Sequence, residues 1–577
     1  MKILGLFHSY ADPSAAVVVD GRTIAFAEEE RFLRNKHANG WFPSRSVRFV
    51  LQQAGLQLSD VDLITQAWNC PAYDAGQAAA VYAAVNSRYP TTAGDLAYQK
   101  KHLDSLTTKS QSAIITRNLR QIFGDVQFPP IQFMPHHLSH AAMALRDSGF
   151  ADCLVLTIDG SGDWNTTCWW QAVDGHLQKL HEVNIPHSLG WFYSAMTEYL
   201  GFQAYDGEYK VMGLAAYGQP DAEIRSRLQQ VIWYDGQGGF ETDPMLLSRG
   251  PRRFSYYYPD TLPVLLGQPP RPDVMPISDW HMSVAFEVQH LLEDIVMQMT
   301  RYWVERTGKR RLAIAGGVGL NIKMNTRLFE SGLLEDLFIH PLCSDTGVSV
   351  GGAMAAEFAD RPVAGDRLQQ VSLGPEYSDS QIESILQACK LPFRRDDLIE
   401  QSVARLLADG RVVGWFQGRM EGGPRALGNR SILGDPRVAE TRDRVNAIIK
   451  FREPWRPFCP SMTAAGAERY LKRWTHAPFM IIAFAATDLA RKEIPAVVHV
   501  DGTARVQVVQ PDHNPRYHRL LLEFEKLTGV PCLLNTSFNV KGEPIVCTPQ
   551  DAVRTFAATG LDALAIGNCL LTKTAGL

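Results

Sequence analysis

Residues 153–175 read CLVLTIDGSGDWNTTCWWQAVDG, and they set the expected topology of the first half of the chain. The apolar run from Cys153 predicts a buried strand that ends at Asp159, because aliphatic and β-branched side chains favour extended structure. The glycines at 160 and 162 predict a turn into a second strand, and the Asp-Gly pair at 174–175 predicts a tight turn after it. This stretch therefore predicts part of an antiparallel meander.

The N-terminus shows the same succession of elements. KILGLF at 2–7 and AAVVV at 15–19 predict two strands, Asp20-Gly21 predicts a tight turn, and TIAFAEEE predicts a third strand. Two regions with the same order of strand, loop, strand and turn predict two similar halves in one α/β domain.

The remaining elements indicate insertions and a domain boundary. Residues 55–132 and 219–279 carry helical and loop signals with few strand signals, so we interpret them as insertions on the first domain. Apolar residues at helical spacing predict a helix over 282–307, and RLAIAGGVGLN predicts a buried strand that ends in a glycine-rich loop. The periodic spacing of apolar residues is lost between Phe358 and Ser378, and we place the domain boundary there.

Composition limits the classes of partner. The chain has 577 residues, is 45% hydrophobic and carries a net charge of −4, which predicts a globular protein of two or more domains. Without a basic excess or a polybasic run, we expect no nucleic acid partner and no membrane surface. The nine cysteines are scattered and never spaced as CxxC, which favours a reducing cytoplasm. Neither a cleavable N-terminal segment nor a membrane-spanning run is evident, so we expect no export.

Three histidines occur in MPHHLSHAAMA at 134–144. On a helix, the imidazoles of His136 and His140 lie on one face, whereas His137 points elsewhere. An isolated pair with this spacing is more often structural. Asp159 and Asp345 each follow a predicted strand, although either one alone also fits a helix cap or turn. Two imidazoles with one or two carboxylates suit a divalent transition metal, with iron(II), manganese or zinc preferred over calcium.

Three glycine-rich stretches accompany these residues: DGSG at 159–162, KVMGLAAYG at 210–218 and GGVGLN at 316–321. Each allows close approach of a bulky ligand and leaves backbone N–H groups for phosphate oxygens, although each alone also fits a tight turn. Interleaved with a candidate metal site, they indicate a nucleotide whose phosphates meet the metal.

Several motifs together are more specific. The first part of the chain contains AEEERF followed by KH, then PHHLSHA, IDGSG, KVMGLAAYG, AGGVGLN and SDTGVSVGGA. The second part contains GRMEGGPRALGNRSILGDPR, KFREPWRPFCPSM, HVDGTARVQVV and LNTSFNVKGEPIV. In this order and spacing they resemble the carbamoyltransferases of nodulation-factor and antibiotic-tailoring pathways over nearly the whole chain.

This resemblance implies a fold. The first domain of that family is similar to the enzymes that form tRNA threonylcarbamoyladenosine, within the actin and sugar-kinase superfamily. We therefore expect an α/β, duplicated, actin/sugar-kinase-like domain with helical insertions at 1–362, followed by an α+β YrdC-like domain at 372–577. A homodimer is also an expectation.

The resemblance also implies a reaction. The second domain would receive carbamoyl phosphate, and carbamate freed there would attack the α-phosphate of ATP. The carbamoyl-adenylate would pass to the metal site, where a hydroxyl or another nucleophile of a small-molecule acceptor takes the carbamoyl group. Six residues match the family's carbamoyl phosphate positions: Arg425, Lys450, Arg456, Arg505, Asn535 and Ser537. Arginine forks suit phosphate oxygens, although each arginine alone also fits a surface ion pair.

In the first domain the resemblance assigns the metal, with iron(II) favoured, to His136, His140 and Asp345, and Asp159 as a further ligand or a contact through water. Magnesium would accompany ATP. Lys210 and Gly213 would lie along the nucleotide phosphates, and Gly317 with Asn321 would lie near the adenosine. The full set of nucleotide candidates is Gly160, Lys210, Gly213, Gly316, Gly317 and Asn321. Lys36 and His37 match a charged pair of the family, and we place Lys36 among the catalytic candidates, although a solvated charge pair is the alternative.

One position departs from the family. Members commonly have His-Asp-x-Ser-Ala in the first loop, and that histidine is a candidate base for the acceptor. Here the stretch is YADPSAA, so Asp12 is kept, and we place it among the catalytic candidates, but Ala11 replaces the histidine. Three explanations stay open: His8 reaches the site, the metal alone activates the acceptor, or the acceptor needs no base. We favour His8, against the alternative of an exposed histidine at the end of a strand.

The leading hypothesis is an ATP- and metal-dependent carbamoyltransferase that acts on a secondary metabolite, as in antibiotic biosynthesis, or on a sugar. An ATP-binding pseudoenzyme or scaffold is the alternative that Ala11 suggests. A tRNA-modifying enzyme and a sugar kinase are disfavoured, because basic character is absent and a kinase leaves the arginines of the second domain unexplained. The insertions should shape the acceptor pocket, with RRFSYYYP at 252–259 as a candidate wall.

Overall fold

A computed structural model describes residues 1–8, 10–247, 258–363, 365–453 and 455–573. The chain divides into two compact units, one of Met1–Ala25 with Gly40–Leu368 and one of Phe26–Asn39 with Gln369–Leu577. The unit that contains the C-terminus thus also includes a short segment from near the N-terminus. The domain boundaries predicted at 1–362 and 372–577 stay a proposal.

The first unit is built on two mixed sheets. The strands of the first sheet are β1 Lys2–Phe7, β2 Ser14–Val19, β3 Arg22–Glu28, β4 Leu63–Gln66 and β5 Ile131–Phe133. The strands that follow are β6 Cys153–Gly162, β7 Asn165–Val173, β8 His176–Asn184, β9 Ile232–Tyr234, β10 Phe240–Thr242, β11 Arg311–Ala315 and β12 Asp336–Ile339. Strands β9 and β10 form a separate hairpin, and the others of this group form the second sheet.

Both sheets have the same topology. Their strand orders are β3-β2-β1-β4-β5 and β8-β7-β6-β11-β12. In the first, β1 is antiparallel to β2 and parallel to β4, and β4 is parallel to β5. In the second, β6 is antiparallel to β7 and parallel to β11, and β11 is parallel to β12. This repetition confirms the duplicated α/β fold that the sequence predicts.

Helices cover the sheets and form the insertions. Those described are α1 Glu29–Leu33, α2 Ser44–Ala54, α3 Cys70–Asp74, α4 Gln77–Arg88, α5 Ala93–Ser105, α6 Thr108–Phe123, α7 His136–Ser148, α8 Leu189–Tyr199, α9 Glu208–Leu214, α10 Ala222–Leu228, α11 Thr261–Leu266, α12 Asp279–Thr307, α13 Ile322–Glu330 and α14 Val348–Glu357. Helix α14 packs on the first sheet, α7 packs on the second, and the two helices pack on each other. The carboxyl ends of β6 and β12 therefore lie close to the starts of α7 and α14. Within the described ranges, no helix combines the length and apolar character needed to cross a membrane.

The structure differs from the predicted elements in three places. Strands β4 and β5 lie in the stretch that the sequence indicated as an insertion, because they have few residues and no alternating pattern. Strand β6 continues past Asp159 to Gly162 through an irregularity in its pairing with β7. Residues Lys210 and Gly213, predicted in a loop, lie on helix α9, which packs on α12. Residues 252–257 of RRFSYYYP lie outside the described residues.

The second unit has an α+β fold, as the resemblance implies. Its strands are β13 Arg394–Arg395, β14 Val413–Phe416, β15 Arg430–Gly434, β16 Cys459–Met462, β17 Phe484–Ala485, β18 Thr503–Ala504, β19 Gln507–Val508, β20 Cys532–Ser537, β21 Ala563–Ile566 and β22 Cys569–Thr572. Its further helices are α15 Asp379–Ala388, α16 Ile399–Ala408, α17 Ala439–Val445, α18 Ala464–Tyr470, α19 Asp488–Glu493, α20 Pro515–Thr528 and α21 Pro549–Ala558. The main mixed sheet has the order β13-β22-β21-β14-β15-β20-β16-β19.

The segment Phe26–Asn39 is integrated into this second unit. Arg31 donates a hydrogen bond to the Gly423 carbonyl oxygen, and Arg34 donates to the carbonyl oxygen of Ile545 at 2.6 Å and forms an ion pair with Glu543 at 3.5 Å. Phe32 packs against the buried side chains of Met420, Ile545 and Cys547. These contacts are long-range in sequence, so no local pattern predicts them.

Candidate functional site

Four predicted metal ligands converge in the first unit. One ligand atom each from His136, His140, Asp159 and Asp345 lies within 4.8 Å of the others, and we call these residues the metal-ligand cluster. The His140 Nε2 atom is 3.2 Å from Asp159 Oδ2, and the His136 Nε2 atom is 3.4 Å from Asp345 Oδ1. Both imidazoles are fully buried. Residues from a helix, a strand and a turn thus meet at one point.

Local structure fixes each of these side chains. Helix α7 starts at His136, whose backbone N–H donates to the buried Asp163 carboxylate, and His140 follows one turn later. Asp345 begins a short helical turn, Asp345–Gly347, directly before α14. Gly162 allows His136 to approach β6, because a Cβ atom there would lie 2.0 Å from the His136 ring. Sequence reasoning missed Asp163, although it directly follows the GSG stretch.

The imidazole nitrogens support a bound cation. Both ring nitrogens of His136 and of His140 are buried and have no hydrogen-bond partner within the described part of the chain. Burial alone lowers the pKa of His136, but the neighbouring Asp345 carboxylate outweighs burial and raises it to about 9. Burial favours a higher pKa for Asp345, whereas His136 and His140 hold it well below its usual range. Carboxylates and imidazoles together form a donor set that suits a transition metal.

His137 does not join the cluster. Its Nδ1 atom is 2.9 Å from the Thr157 hydroxyl, and its Nε2 atom is 3.2 Å from the Asn165 carbonyl oxygen. Burial, with His136 and His140 nearby, lowers the pKa of His137 well below its usual value. His137 is therefore a neutral side chain that connects α7 to β6 and β7.

Three of the predicted nucleotide residues border Asp159. Its two carboxylate oxygens accept hydrogen bonds from the backbone N–H groups of Gly160 at 2.7 Å and Gly317 at 3.1 Å. Gly316 has a φ of +94° and would place a Cβ atom 2.2 Å from the Ile158 carbonyl oxygen, so the tight connection there requires glycine. The glycine loops after β6 and β11 thus meet beside the metal-ligand cluster.

The other three nucleotide candidates lie on helices that pack against α12. Lys210 and Gly213 belong to α9, and the Lys210 Nζ atom lies 5.4 Å from the centre of the Phe202 ring. Asn321 caps α13 by accepting the Met324 backbone N–H, and its side chain also pairs with Gln289. Asn321 therefore has a clear structural role, and its contact with adenosine stays a prediction.

The catalytic candidates are divided between the units. His8 and Asp12 lie in the loop region between β1 and β2, where the Ser14 hydroxyl donates to the carbonyl oxygen of Thr346, the residue after Asp345. This bond anchors the loop beside the metal-ligand cluster. His8 is buried, not exposed, and burial lowers its pKa to about 3, so it is a weak base at neutral pH. Lys36 belongs to the second unit.

A group of cations surrounds Lys450 in the second unit. Its Nζ atom donates to the Ser537 carbonyl and hydroxyl oxygens at 2.5 and 3.1 Å and to Asn539. Burial lowers the pKa of Lys450 well below its usual value, and Arg452, Arg456 and Lys36 lower it further. We call Lys36, Lys450, Arg452 and Arg456 the cation cluster. These side chains concentrate positive charge around Lys450.

The other predicted carbamoyl phosphate residues lie on neighbouring elements. Asn535 is fully buried, and its side-chain amide nitrogen donates to the Ala426 carbonyl oxygen and the Ser461 hydroxyl, whereas its Oδ1 atom has no partner among the described residues. Cys459 on β16 lies opposite Asn535 on β20, and the Arg505 Nε atom lies 2.8 Å from its sulfur. Asn535, Arg505 and the loop of Arg425 are thus connected.

Glu421 shapes the loop that carries Arg425. One carboxylate oxygen of Glu421 accepts backbone hydrogen bonds from Leu427, Asn429 and Arg430, at 2.6, 3.3 and 3.2 Å. This buried carboxylate holds the GGPRALG stretch in a tight loop. Sequence reasoning did not select Glu421, and a carboxylate beside a run of glycines was the available signal.

Comparison with known proteins extends these observations. The family model of the carbamoyltransferase N-terminus matches residues 2–354, and that of the carbamoyltransferase C-terminus matches residues 404–573. An uncharacterized protein of Synechocystis is 35% identical over 99% of this chain and 97% of its own length. The nodulation protein NolNO of Sinorhizobium fredii is 39% identical over 97% of this chain and 79% of its own.

Solved structures are more distant. Component A of the (R)-2-hydroxyglutaryl-CoA dehydratase of Acidaminococcus fermentans is 13% identical, with a TM-score of 0.33, over 62% of this chain and 98% of that chain. HypF of T. kodakarensis is 12% identical, with a TM-score of 0.30, over 62% and 47%. The fold of this chain is defined by the pairing of its own strands. The N-terminal family model alone covers more than half of the chain, and close relatives span nearly all of it, so the protein belongs to the carbamoyltransferase family and is an enzyme of that kind.

Proposed function

We propose that the protein hydrolyses carbamoyl phosphate with one water molecule to carbamate and phosphate, and that the carbamate oxygen attacks the α-phosphate of ATP to give carbamoyl-adenylate and pyrophosphate. It then transfers the carbamoyl group to a hydroxyl, or another nucleophile, of a small-molecule acceptor, and AMP leaves. A secondary metabolite is the acceptor class that we propose. Family membership supports the overall transfer, and the arrangement of residues in each unit supports the individual steps.

The metal-ligand cluster is the observation that carries the proposal. His136, His140, Asp159 and Asp345 present imidazole nitrogens and carboxylate oxygens within 4.8 Å of one another, next to two glycine loops. The buried histidine nitrogens without partners fit a divalent metal, with iron(II) preferred and manganese or zinc as alternatives. A metal bound there would supply Lewis acidity to polarise an oxygen of the carbamoyl-adenylate.

In the second unit, the cation cluster and Asn535 match carbamoyl phosphate in charge and in polarity. A phosphate dianion would relieve the repulsion around Lys450, and Arg456, Arg505 and Arg425 would add fork-shaped donors. The Asn535 Oδ1 atom is a buried acceptor without a partner and would receive an N–H of the carbamoyl amide. The cations would therefore bind the phosphate end of carbamoyl phosphate, and Asn535 would bind its amide end.

In the first unit, backbone groups and Lys210 would hold the nucleotide. The loops at Gly160 and Gly317 approach each other across Asp159, and glycine there leaves space for phosphate oxygens. Lys210 and Gly213 on α9 would line the phosphates, with magnesium as their counter-ion. The carbamoyl group of the adenylate would then face the loop of Asp12, where the acceptor binds.

An ATP-binding protein without transfer activity is the second candidate, because Ala11 replaces the family histidine and His8 is a weak base. Both candidates predict ATP binding. They differ in the formation of AMP that depends on carbamoyl phosphate.

The deciding experiment measures AMP and pyrophosphate release by the purified protein with ATP, magnesium and iron(II). The reaction is run with and without carbamoyl phosphate, on the wild-type protein and on R505A. Release by the wild type that requires carbamoyl phosphate, and that R505A largely loses, supports the proposal. Detectable ATP binding without any such release would contradict it and favour the second candidate.

A further inference from the structure

Three polar side chains of the second unit form a buried chain of hydrogen bonds. Ser461 on β16, Gln507 on β19 and Asn535 on β20 belong to adjacent strands of the main sheet, and all three are buried. The Ser461 hydroxyl donates to Gln507 Oε1 at 2.7 Å, and the Asn535 side-chain amide nitrogen donates to the Ser461 hydroxyl oxygen at 2.9 Å. We call Ser461, Gln507 and Asn535 the amide network.

Two backbone carbonyl groups of the GGPRALG loop fix the orientation of both amides. The Gln507 Nε2 atom donates to the Leu427 carbonyl oxygen at 2.8 Å. The Asn535 Nδ2 atom donates to the Ala426 carbonyl oxygen at 3.1 Å. Turning either amide over would replace a donor by an oxygen that faces another oxygen, so each amide has one favoured orientation. The loop thus determines which side of each amide presents its oxygen.

Gln507 decides the role of the Ser461 hydroxyl. A hydroxyl has one proton to donate, and Gln507 Oε1 accepts it, so the Ser461 oxygen acts as an acceptor toward Asn535. One N–H of the Asn535 amide is used on Ala426 and the other on Ser461, with Gln507 Oε1 3.4 Å away. The atom that is left is Asn535 Oδ1, a fully buried acceptor without a partner among the described residues.

This single acceptor can distinguish two substrates that the cations of the site bind alike. Acetyl phosphate has the same phosphate group as carbamoyl phosphate, but a methyl group replaces the amino group. The amino group would donate an N–H to Asn535 Oδ1, whereas the methyl group would leave that buried oxygen unpaired. A site that is built to pair with a substrate N–H discriminates strongly against an analogue that lacks it.

We propose that Gln507 is a positioning residue that acts through Ser461 and Asn535 to make the second unit select carbamoyl phosphate over acetyl phosphate. The inference rests on the proposed function and deepens it, because it assigns the choice of substrate to the orientation of one amide. Without the Gln507 oxygen, the Ser461 proton can donate to Asn535 Oδ1 in a reversed amide. The reversed amide would then present its N–H groups to the amino group of the substrate, donor against donor.

Inhibition kinetics on the full-length protein test this inference. Pyrophosphate release against carbamoyl phosphate concentration gives the KM, and acetyl phosphate and inorganic phosphate as competitors give their inhibition constants. In the wild type, the inhibition constant of acetyl phosphate should exceed the KM of carbamoyl phosphate by about tenfold or more. In Q507M this ratio should fall about fivefold or more, through a higher KM. The inhibition constant of inorganic phosphate, which has no acyl end, should stay unchanged.

Two further variants control for folding and for the substitution itself. S461A removes the hydroxyl that connects Gln507 to Asn535 and is a smaller change, so it should lower the ratio in the same way even if Q507M does not fold. Circular dichroism checks the fold of each variant. Q510M makes the same substitution beyond the end of β19 and should leave all three constants unchanged.

The outcomes separate this inference from the proposed function. Release that depends on carbamoyl phosphate, with the same ratio in the wild type, Q507M and S461A, would overturn the inference alone. Equal values of the two constants in the wild type would do so as well. A rise in the inhibition constant of inorganic phosphate in parallel with the KM would show a general loss of the site and would also overturn it. Absence of such release in the wild type would overturn both.

Discussion

The metal-ligand cluster and the cation cluster differ in how their polar atoms are satisfied. In the first unit, the ring nitrogens of His136 and His140 are buried without hydrogen-bond partners among the described residues. In the second unit, four oxygen atoms of Ser537 and Asn539 lie between 2.5 and 3.1 Å from the Lys450 Nζ atom, which donates hydrogen bonds to them. Within the described ranges, the imidazoles of the first site have only nearby carboxylates as polar neighbours, at 3.2 and 3.4 Å, whereas the lysine of the second site is held by several hydrogen bonds within the protein.

The two clusters thus differ in whether the protein itself supplies hydrogen bonds to the buried polar groups of the site. A cation bound at the metal-ligand cluster would compensate its carboxylates and pair with its nitrogens, and would then contribute to the stability of the site. Around Lys450 the protein itself supplies the hydrogen bonds, and only the charge is left to be balanced. We therefore expect substitutions in the first cluster to affect ligand binding most and substitution of Lys450 to affect folding as well.

The largest effect, a loss of metal affinity, is expected when one histidine of the metal-ligand cluster is removed. In H140A the metal loses a ligand, so metal affinity should fall more than about hundredfold, because even a supporting partner of a metal ligand contributes 10–100-fold. Metal content after dialysis, measured by mass spectrometry, checks this. The variant H176Q, at the exposed first residue of β8, should retain its metal. Unchanged metal content in both H136A and H140A would contradict the assignment.

The second prediction concerns Lys450→Met in the cation cluster. This substitution removes the amino group and leaves the oxygen atoms of Ser537 and Asn539 without their donor, so the free energy of unfolding should fall by about 1–3 kcal/mol. Pyrophosphate release that depends on carbamoyl phosphate should be lost as well. Urea denaturation and the release assay measure the two effects. K472M, at an exposed lysine of the same unit, is the control, and equal stability of the two variants would show that Lys450 is not a structural donor.

Gly162→Ala tests the position of a candidate metal ligand, because it displaces His136 without removing it. The new Cβ atom would lie 2.0 Å from the His136 ring, so the imidazole must move. We expect metal affinity to fall about tenfold, with the circular dichroism spectrum unchanged. In the control G94A, the nearest atom to the new Cβ is 3.7 Å away, and metal binding should stay as in the wild type. Wild-type affinity in G162A would show that His136 tolerates the displacement.

The smallest effect is expected for His8→Gln. Burial lowers the pKa of His8 to about 3, so this imidazole stays neutral between pH 5 and 9 and accepts a proton poorly. AMP release should change less than about threefold, and its pH profile over that range should keep its shape. A decrease of more than about tenfold, or a shifted profile, would instead identify His8 as the base that replaces the family histidine.

Periodic sequence features predicted much of the first unit. Strands β1, β2 and β6 follow from apolar runs next to glycine or Asp-Gly turns, and the helical spacing of His136 and His140 placed both on one face of α7. Strands β4 and β5 were missed because four and three residues carry too little pattern. Their place in the sheet depends on pairing with β1 and with each other, which is a long-range property.

The sequence predicted which residues form the candidate site better than it predicted the hydrogen bonds and packing that hold them in place. Asp159 and Asp345 were selected as carboxylates at strand ends, and the structure brings both to the histidines. The role of Asp163 as a bridge between Asn69 and His136 depends on three separate elements and leaves no local pattern. Lys210 was assigned to a loop because glycines lower helix propensity, but packing against α12 holds this stretch in a helix.

The segment Phe26–Asn39 has a consequence for synthesis and for evolution. Arg34 and its partner Glu543 are 509 residues apart, so the ribosome makes this part of the second unit long before its packing partners exist. A fragment that begins after Leu368 would lack Phe32, Arg31 and Arg34, and would expose the apolar surface around Met420 and Ile545. Recombination at a single crossover therefore cannot transplant the second unit intact, and exchange between relatives requires two coordinated joins.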